Sequence, residues 1–123
     1  MSRSRRVLLG AAALVLFGAA QSAGQDIAAG EKLFGRCKAC HAVEPGKNGI
    51  GPTLAGIWGD KAGVVPGFEF SEAMKNSGLT WNQANLDRYL TDPRGVVPGT
   101  KMAFGGVKDA GKRQEIINYL KTL

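Results

Sequence analysis

Apolar positions near the C-terminus recur with a helical period. Ile116, Tyr119, Leu120 and Leu123 fall at i, i+3, i+4 and i+7, the buried stripe of an amphipathic helix, and Asp109 stands before it as an N-cap. A second helix is predicted to open at Thr80-Trp81-Asn82-Gln83, which reads as a capping box. It carries Leu86, Tyr89 and Leu90 on one face and ends before Pro93. Ser71 is placed to cap a short helix that stops at Gly78. Upstream, a helix is predicted from Asp26, with Gly30, Leu33, Phe34 and Cys37 on its apolar side. A mid-helix glycine costs about 1 kcal/mol relative to alanine. Gly30 therefore predicts the close approach of another helix, with a frayed helix start as the alternative.

Between these helices the pattern changes. Residues 45–52 are a loop by every turn signal. Residues 53–70 hold Gly56, Gly59, Gly63, Pro66 and Gly67 and keep no strand-like alternation, which predicts a wrapping Ω-type loop. Residues 94–108 read as another loop. No internal repeat is present. The expectation is an all-α fold of about four short helices joined by loops.

The N-terminus has a different character. Arg3, Arg5 and Arg6 precede an uncharged apolar run over residues 7–20, followed by Ser22, Ala23 and Gly24. That is the pattern of a secretory signal peptide, with cleavage expected between 20 and 24. The predicted organisation is a leader at 1–24 and one domain at 25–123. The run is 14 residues, short of the roughly 20 that span a bilayer, so stable membrane insertion is not expected. A retained N-terminal anchor is the alternative. The paired arginines also resemble a twin-arginine signal, but an ordinary n-region suits export of an unfolded chain better. Loss of Arg3, Arg5 and Arg6 lowers the formal charge from +6 to +3, too little and too evenly spread for nucleic acid. It suits docking to an acidic protein surface.

The chemistry concentrates in Cys37-Lys38-Ala39-Cys40-His41. Two cysteines three apart with histidine next is the attachment pattern of a c-type haem. Each thiol makes a thioether with one vinyl group on the same edge of the porphyrin, and the histidine falls under the iron as proximal ligand. A redox disulfide would need a βαβ context that this chain lacks. A structural zinc site needs about four Cys or His ligands, and the chain has Cys37, Cys40 and His41 only. The haem also supplies a large apolar body to a small domain that holds 18 glycines and is 7% aromatic.

The occupant of the sixth iron position decides the function. Met102, Met74 or no ligand are the options. Met102 lies in Pro98-Gly99-Thr100-Lys101-Met102, where proline and glycine fix the loop, and a thioether sulfur stabilises ferrous iron. Met74 lies on the short helix, where methionine more often fills core.

From about Gly30 to Leu120 the chain resembles a class I cytochrome c, of the mitochondrial type and its periplasmic bacterial relatives. The matching stretches are the haem motif, Gly51-Pro52-Thr53-Leu54, Pro66-Gly67-Phe68, Leu79-Thr80-Trp81, Tyr89-Leu90, Asp92-Pro93, Pro98-Gly99-Thr100-Lys101-Met102 and Tyr119-Leu120, in the family's order. The resemblance implies the cytochrome c fold around one covalently bound haem c, held by Cys37 and Cys40, with His41 and Met102 as axial ligands. It implies that the first and last helices cross. It further implies that the Pro52 carbonyl accepts the His41 ring N–H, that Tyr89 and Thr100 hydrogen-bond around Met102, and that Trp81 reaches a haem propionate. Three positions depart from the family: Phe70 replaces a tyrosine, Asp60 an arginine and Met74 an asparagine. Each change removes a polar contact near the haem, so the propionate side is expected to be less tightly hydrogen-bonded.

The implied function is that of a periplasmic, monomeric one-electron carrier without enzymatic activity. Its donor would be a cytochrome bc complex or a dehydrogenase, and its acceptor a terminal oxidase or a reaction centre. Arg36, Lys38, Lys47, Arg94, Lys101 and Lys108 are expected to ring the exposed haem edge and meet acidic partners. A haem enzyme or gas sensor with an open sixth position, and a membrane-tethered carrier, are the alternatives.

Overall fold

The computed structural model describes residues 10–14 and 22–123. Most of the expected leader, including residues 20 and 21 of the expected cleavage region at 20–24, lies outside the described residues. The described chain is helical. In order it forms α1 (Ser22–Leu33), a single 3-10 turn (Phe34–Arg36), α2 (Glu72–Lys75), α3 (Gln83–Thr91), α4 (Pro93–Val96) and α5 (Ala110–Leu120). Among these residues no strand is found, only an isolated antiparallel bridge between Lys61 and Thr80. No described helix is long and apolar enough to cross a membrane.

The sequence reading needs four corrections. α1 begins at Ser22, so Asp26 lies inside it rather than at its cap. α3 is capped by Asn82, whose side chain accepts from the Asn85 amide, and not by Thr80. Thr80 is committed to the bridge with Lys61, which holds the chain extended until Asn82. α2 stops at Lys75, short of Gly78, although Ser71 does cap it through the Met74 amide. The region read as a loop after Pro93 opens with a helical turn, α4. Asp92 caps that turn through the Gly95 amide, and Pro93 occupies the first turn, where its missing N–H costs nothing. The described chain thus has five α-helices instead of about four.

α1 and α5 make the main helix–helix contact. A Cβ built on Gly30 would overlap the Glu115 carbonyl oxygen and come within 2.9 Å of Tyr119 Cβ, so glycine lets the two backbones touch. One turn on, Phe34 packs on Tyr119 with ring centroids 5.1 Å apart. Ile116, Ile117, Tyr119 and Leu120 of α5 are buried with Phe34, Leu86 and Tyr89 in one core. Ile117, fully buried, was absent from the predicted stripe. Asp109 caps α5 as expected, accepting from the Lys112 amide at 2.9 Å.

Arg113 is a buried cation that the sequence did not reveal. Its Nε donates to Asp87 at 2.7 Å and its guanidinium to the Val107 carbonyl at 2.9 Å. It ties α5 to α3 and to the chain after Met102.

Candidate haem-binding site

Between the helical core and the long loops lies a cavity of about 300 Å³. Phe34, Leu54, Ile57, Trp81, Leu86, Ile116 and Leu120 form part of its wall, and Cys37, Cys40, His41, Pro52, Tyr89, Thr100 and Met102 line it as well. Every residue named from sequence as part of the site reaches this one space.

The 3-10 turn after α1 delivers the attachment motif. Backbone bonds from Cys40 N and His41 N to the Cys37 carbonyl, at 3.1 and 2.9 Å, close a tight turn that brings both cysteines to the cavity. The two cysteines form no disulfide with each other. Burial pushes the Cys37 thiol up from its ordinary pKa, and the nearby Arg36 partly offsets this.

His41 Nδ1 lies 2.7 Å from the Pro52 carbonyl oxygen. A carbonyl only accepts, so Nδ1 carries the proton and Nε2 keeps the lone pair that a metal requires. Gly51 makes room for the ring: a Cβ there would sit 2.5 Å from His41 Cε1 and 2.7 Å from Nδ1. The turn is fixed from outside. Asn48 donates to the Pro66 carbonyl and accepts from the Thr53 amide, and the Thr53 hydroxyl donates to the Glu44 carbonyl at 2.6 Å.

On the loop after α4, the Tyr89 and Thr100 hydroxyls share a hydrogen bond at 2.8 Å, and Thr100 Oγ1 accepts from the Met102 amide. Burial pushes the Tyr89 phenol above its usual pKa, so it remains a neutral hydroxyl. Met74 is buried and lines the same cavity. Both candidate thioethers thus belong to one site. Phe70 also lines it and packs edge-on against Phe68 at 4.8 Å.

The donor set fits a c-type haem: two thiols on one turn, an oriented imidazole, a thioether and an apolar wall. Trp81, Tyr89 and Thr100 add polar tips at the lining. Among the described residues no cluster of three or more His, Cys, Asp or Glu side chains offers a metal-ion site of another kind.

The basic residues divide. Arg36 and Lys101 line the cavity. Lys38 and Lys47 flank a shallow hollow against Cys40 and Ile50. Arg94 and Lys108 line neither. Lys101 donates to the Glu69 carbonyl, Lys108 to the Thr91 carbonyl, and Lys47 pairs with Glu44.

A helical shell around a cavity with this attachment turn defines a c-type haem protein, and comparison with known proteins gives the family. Residues 27–123 match the family model described as Cytochrome c. The chain is 56% identical over 90 residues to cytochrome c2 iso-2 of Magnetospirillum fulvum, covering 73% of this chain and 94% of that protein. It is 49% identical over 118 residues to cytochrome c2 of Rhodomicrobium vannielii, covering 95% and 94%. The solved structure of cytochrome cH from Methylobacterium extorquens superposes with a TM-score of 0.77 at 57% identity, covering 80% of this chain and 99% of that one. The chain belongs to the cytochrome c family. It is a single-haem electron-transfer protein, with Cys37 and Cys40 as the attachment cysteines of its haem c.

Proposed function

We propose that this protein is a periplasmic, diffusible one-electron carrier whose haem iron is held by His41 and Met102. The observation that carries this reading is the oriented imidazole: Pro52 fixes the His41 tautomer, and the Thr100–Met102 loop at the same cavity is held by Tyr89. The leader at 1–24 would export the chain, leaving residues 25–123 as the working domain. When bound, the haem supplies reversible ferric–ferrous chemistry. The chain's own residues hold the ligands still, so little reorganises when an electron arrives or leaves, and the apolar wall excludes water from the metal.

Trp81 is suited to donate its indole N–H to a propionate, and Pro52, Tyr89 and Thr100 to keep the ligands aligned. Arg36 and Lys101 at the cavity, with Lys38 and Lys47 at the neighbouring hollow, favour brief, salt-sensitive encounters with acidic redox proteins. A respiratory or photosynthetic complex or a periplasmic dehydrogenase fits that description as donor, and a terminal oxidase or reaction centre as acceptor. No substrate site is required.

The test is carbon monoxide binding to the reduced holoprotein at neutral pH. A six-coordinate carrier leaves the ferrous spectrum unchanged. Rapid formation of a carbonyl complex would mean an open sixth position and would favour a haem enzyme or gas sensor.

A further inference from the structure

The cavity lining is charged where it meets solvent. Arg36, Lys61 and Lys101 contribute cations, and Asp60 is the one carboxylate among the described lining residues. The Asp60 backbone is fixed. Its amide donates to the Ile57 carbonyl at 3.1 Å, and its carbonyl accepts from the Trp81 amide at 2.8 Å. Gly59 N donates to the Trp81 carbonyl at 2.9 Å, and Lys61 bridges to Thr80. Residues 59–61 are thus fastened to the segment that carries Trp81 into the core. The ion pairs of the described residues join Lys47 to Glu44, Lys75 to Glu72 and Arg113 to Asp87, and none engages Asp60.

We propose that Asp60 tunes the potential of the haem site downward. This rests on the carrier reading above. Oxidation of the bound group leaves one more positive charge in the cavity, and a carboxylate carried at its rim on a fixed backbone, outside the ion pairs of the described residues, stabilises that state. Asp60 therefore favours the ferric form and lowers the reduction potential, against the opposite pull of Arg36, Lys61 and Lys101. Its exposure to solvent keeps the effect modest and dependent on salt.

The test is spectroelectrochemical titration of the haem-attached protein with Asp60→Asn, which removes the charge at nearly constant shape, and Asp60→Lys, which reverses it. At a fixed applied potential the ferrous-to-ferric ratio rises about three- to tenfold in Asp60→Asn, the scale of one partly screened charge. It rises further in Asp60→Lys, and both shifts shrink in high salt. Glu31→Gln makes the same change of charge on α1, outside the cavity lining, and shifts the ratio less. Ligation-sensitive spectra stay those of wild type in all three variants. If Asp60→Asn moves the ratio no more than Glu31→Gln, or lowers it, the proposal is overturned while the carrier reading stands. If the wild type gives no reversible one-electron wave, both fall.

Discussion

Gly30→Ala should damage this protein far more than one methyl group suggests. In an exposed helix the same change gains up to about 1 kcal/mol from helix propensity. Here the new Cβ would overlap the Glu115 carbonyl oxygen, with Glu115 C at 2.8 Å and Tyr119 Cβ at 2.9 Å. Ordinary contact begins near 3.4 Å, and two of these three neighbours are backbone. A rotamer change cannot relieve the clash, so α1 and α5 must separate. That separation loosens Phe34 against Tyr119 and weakens the packing of Ile116 and Ile117. Overpacking of a core typically costs about 1–3 kcal/mol, occasionally more. With rigid neighbours and the interface opened along its length, the cost should reach about 3 kcal/mol, leaving a net loss of about 2 kcal/mol after the propensity gain. Guanidinium unfolding of the haem-attached protein, followed by circular dichroism, should show a lower midpoint with an unchanged slope. A loss below about 1 kcal/mol would refute the claim that Gly30 is required by backbone contact.

Three further outcomes are expected. Gly51→Ala pushes the His41 ring off the Pro52 carbonyl, and its ferric spectrum and midpoint potential should both change; a wild-type spectrum would show that the ring has room to adjust. Arg113→Met keeps the aliphatic bulk but strands Asp87 and the Val107 carbonyl, costing about 2–3 kcal/mol in thermal or denaturant unfolding; a neutral result would make the buried cation dispensable. The Lys112 amide holds the Asp109 carboxyl below its usual pKa, so its contribution to stability is present above the ordinary carboxylate value and is lost as pH falls through the lowered folded value. Asp109→Asn retains a capping oxygen and should flatten that part of the acid-unfolding curve, whereas an unchanged curve would exclude the cap as a source of acid sensitivity.

Local signals in the sequence carried most of the site. The haem motif, the Gly51-Pro52 turn and the Pro98–Met102 loop each fix backbone shape over a few residues, and all of them reach one cavity. The α5 stripe and its Asp109 cap were legible for the same reason. The misses came from longer range. Thr80 and Asn82 are both good caps, and only the Lys61 bridge decides between them. Asp92-Pro93 was read as the end of one helix, yet it also starts the next, because Asp92 satisfies the Gly95 amide. Arg113 carried no local signal, since its partner Asp87 lies 26 residues away. The Gly30 contact was anticipated in kind, but its partner could be named only through the family resemblance.

The central claim is that His41 and Met102 hold the iron, and both Met102 and Met74 line the cavity. The most direct measurement is the far-red sulfur-to-iron charge-transfer band of the ferric holoprotein, recorded for wild type, Met102→Ala and Met74→Leu. The account predicts a band in wild type and Met74→Leu that disappears in Met102→Ala. A band that survives Met102→Ala, or one lost in Met74→Leu, would contradict it.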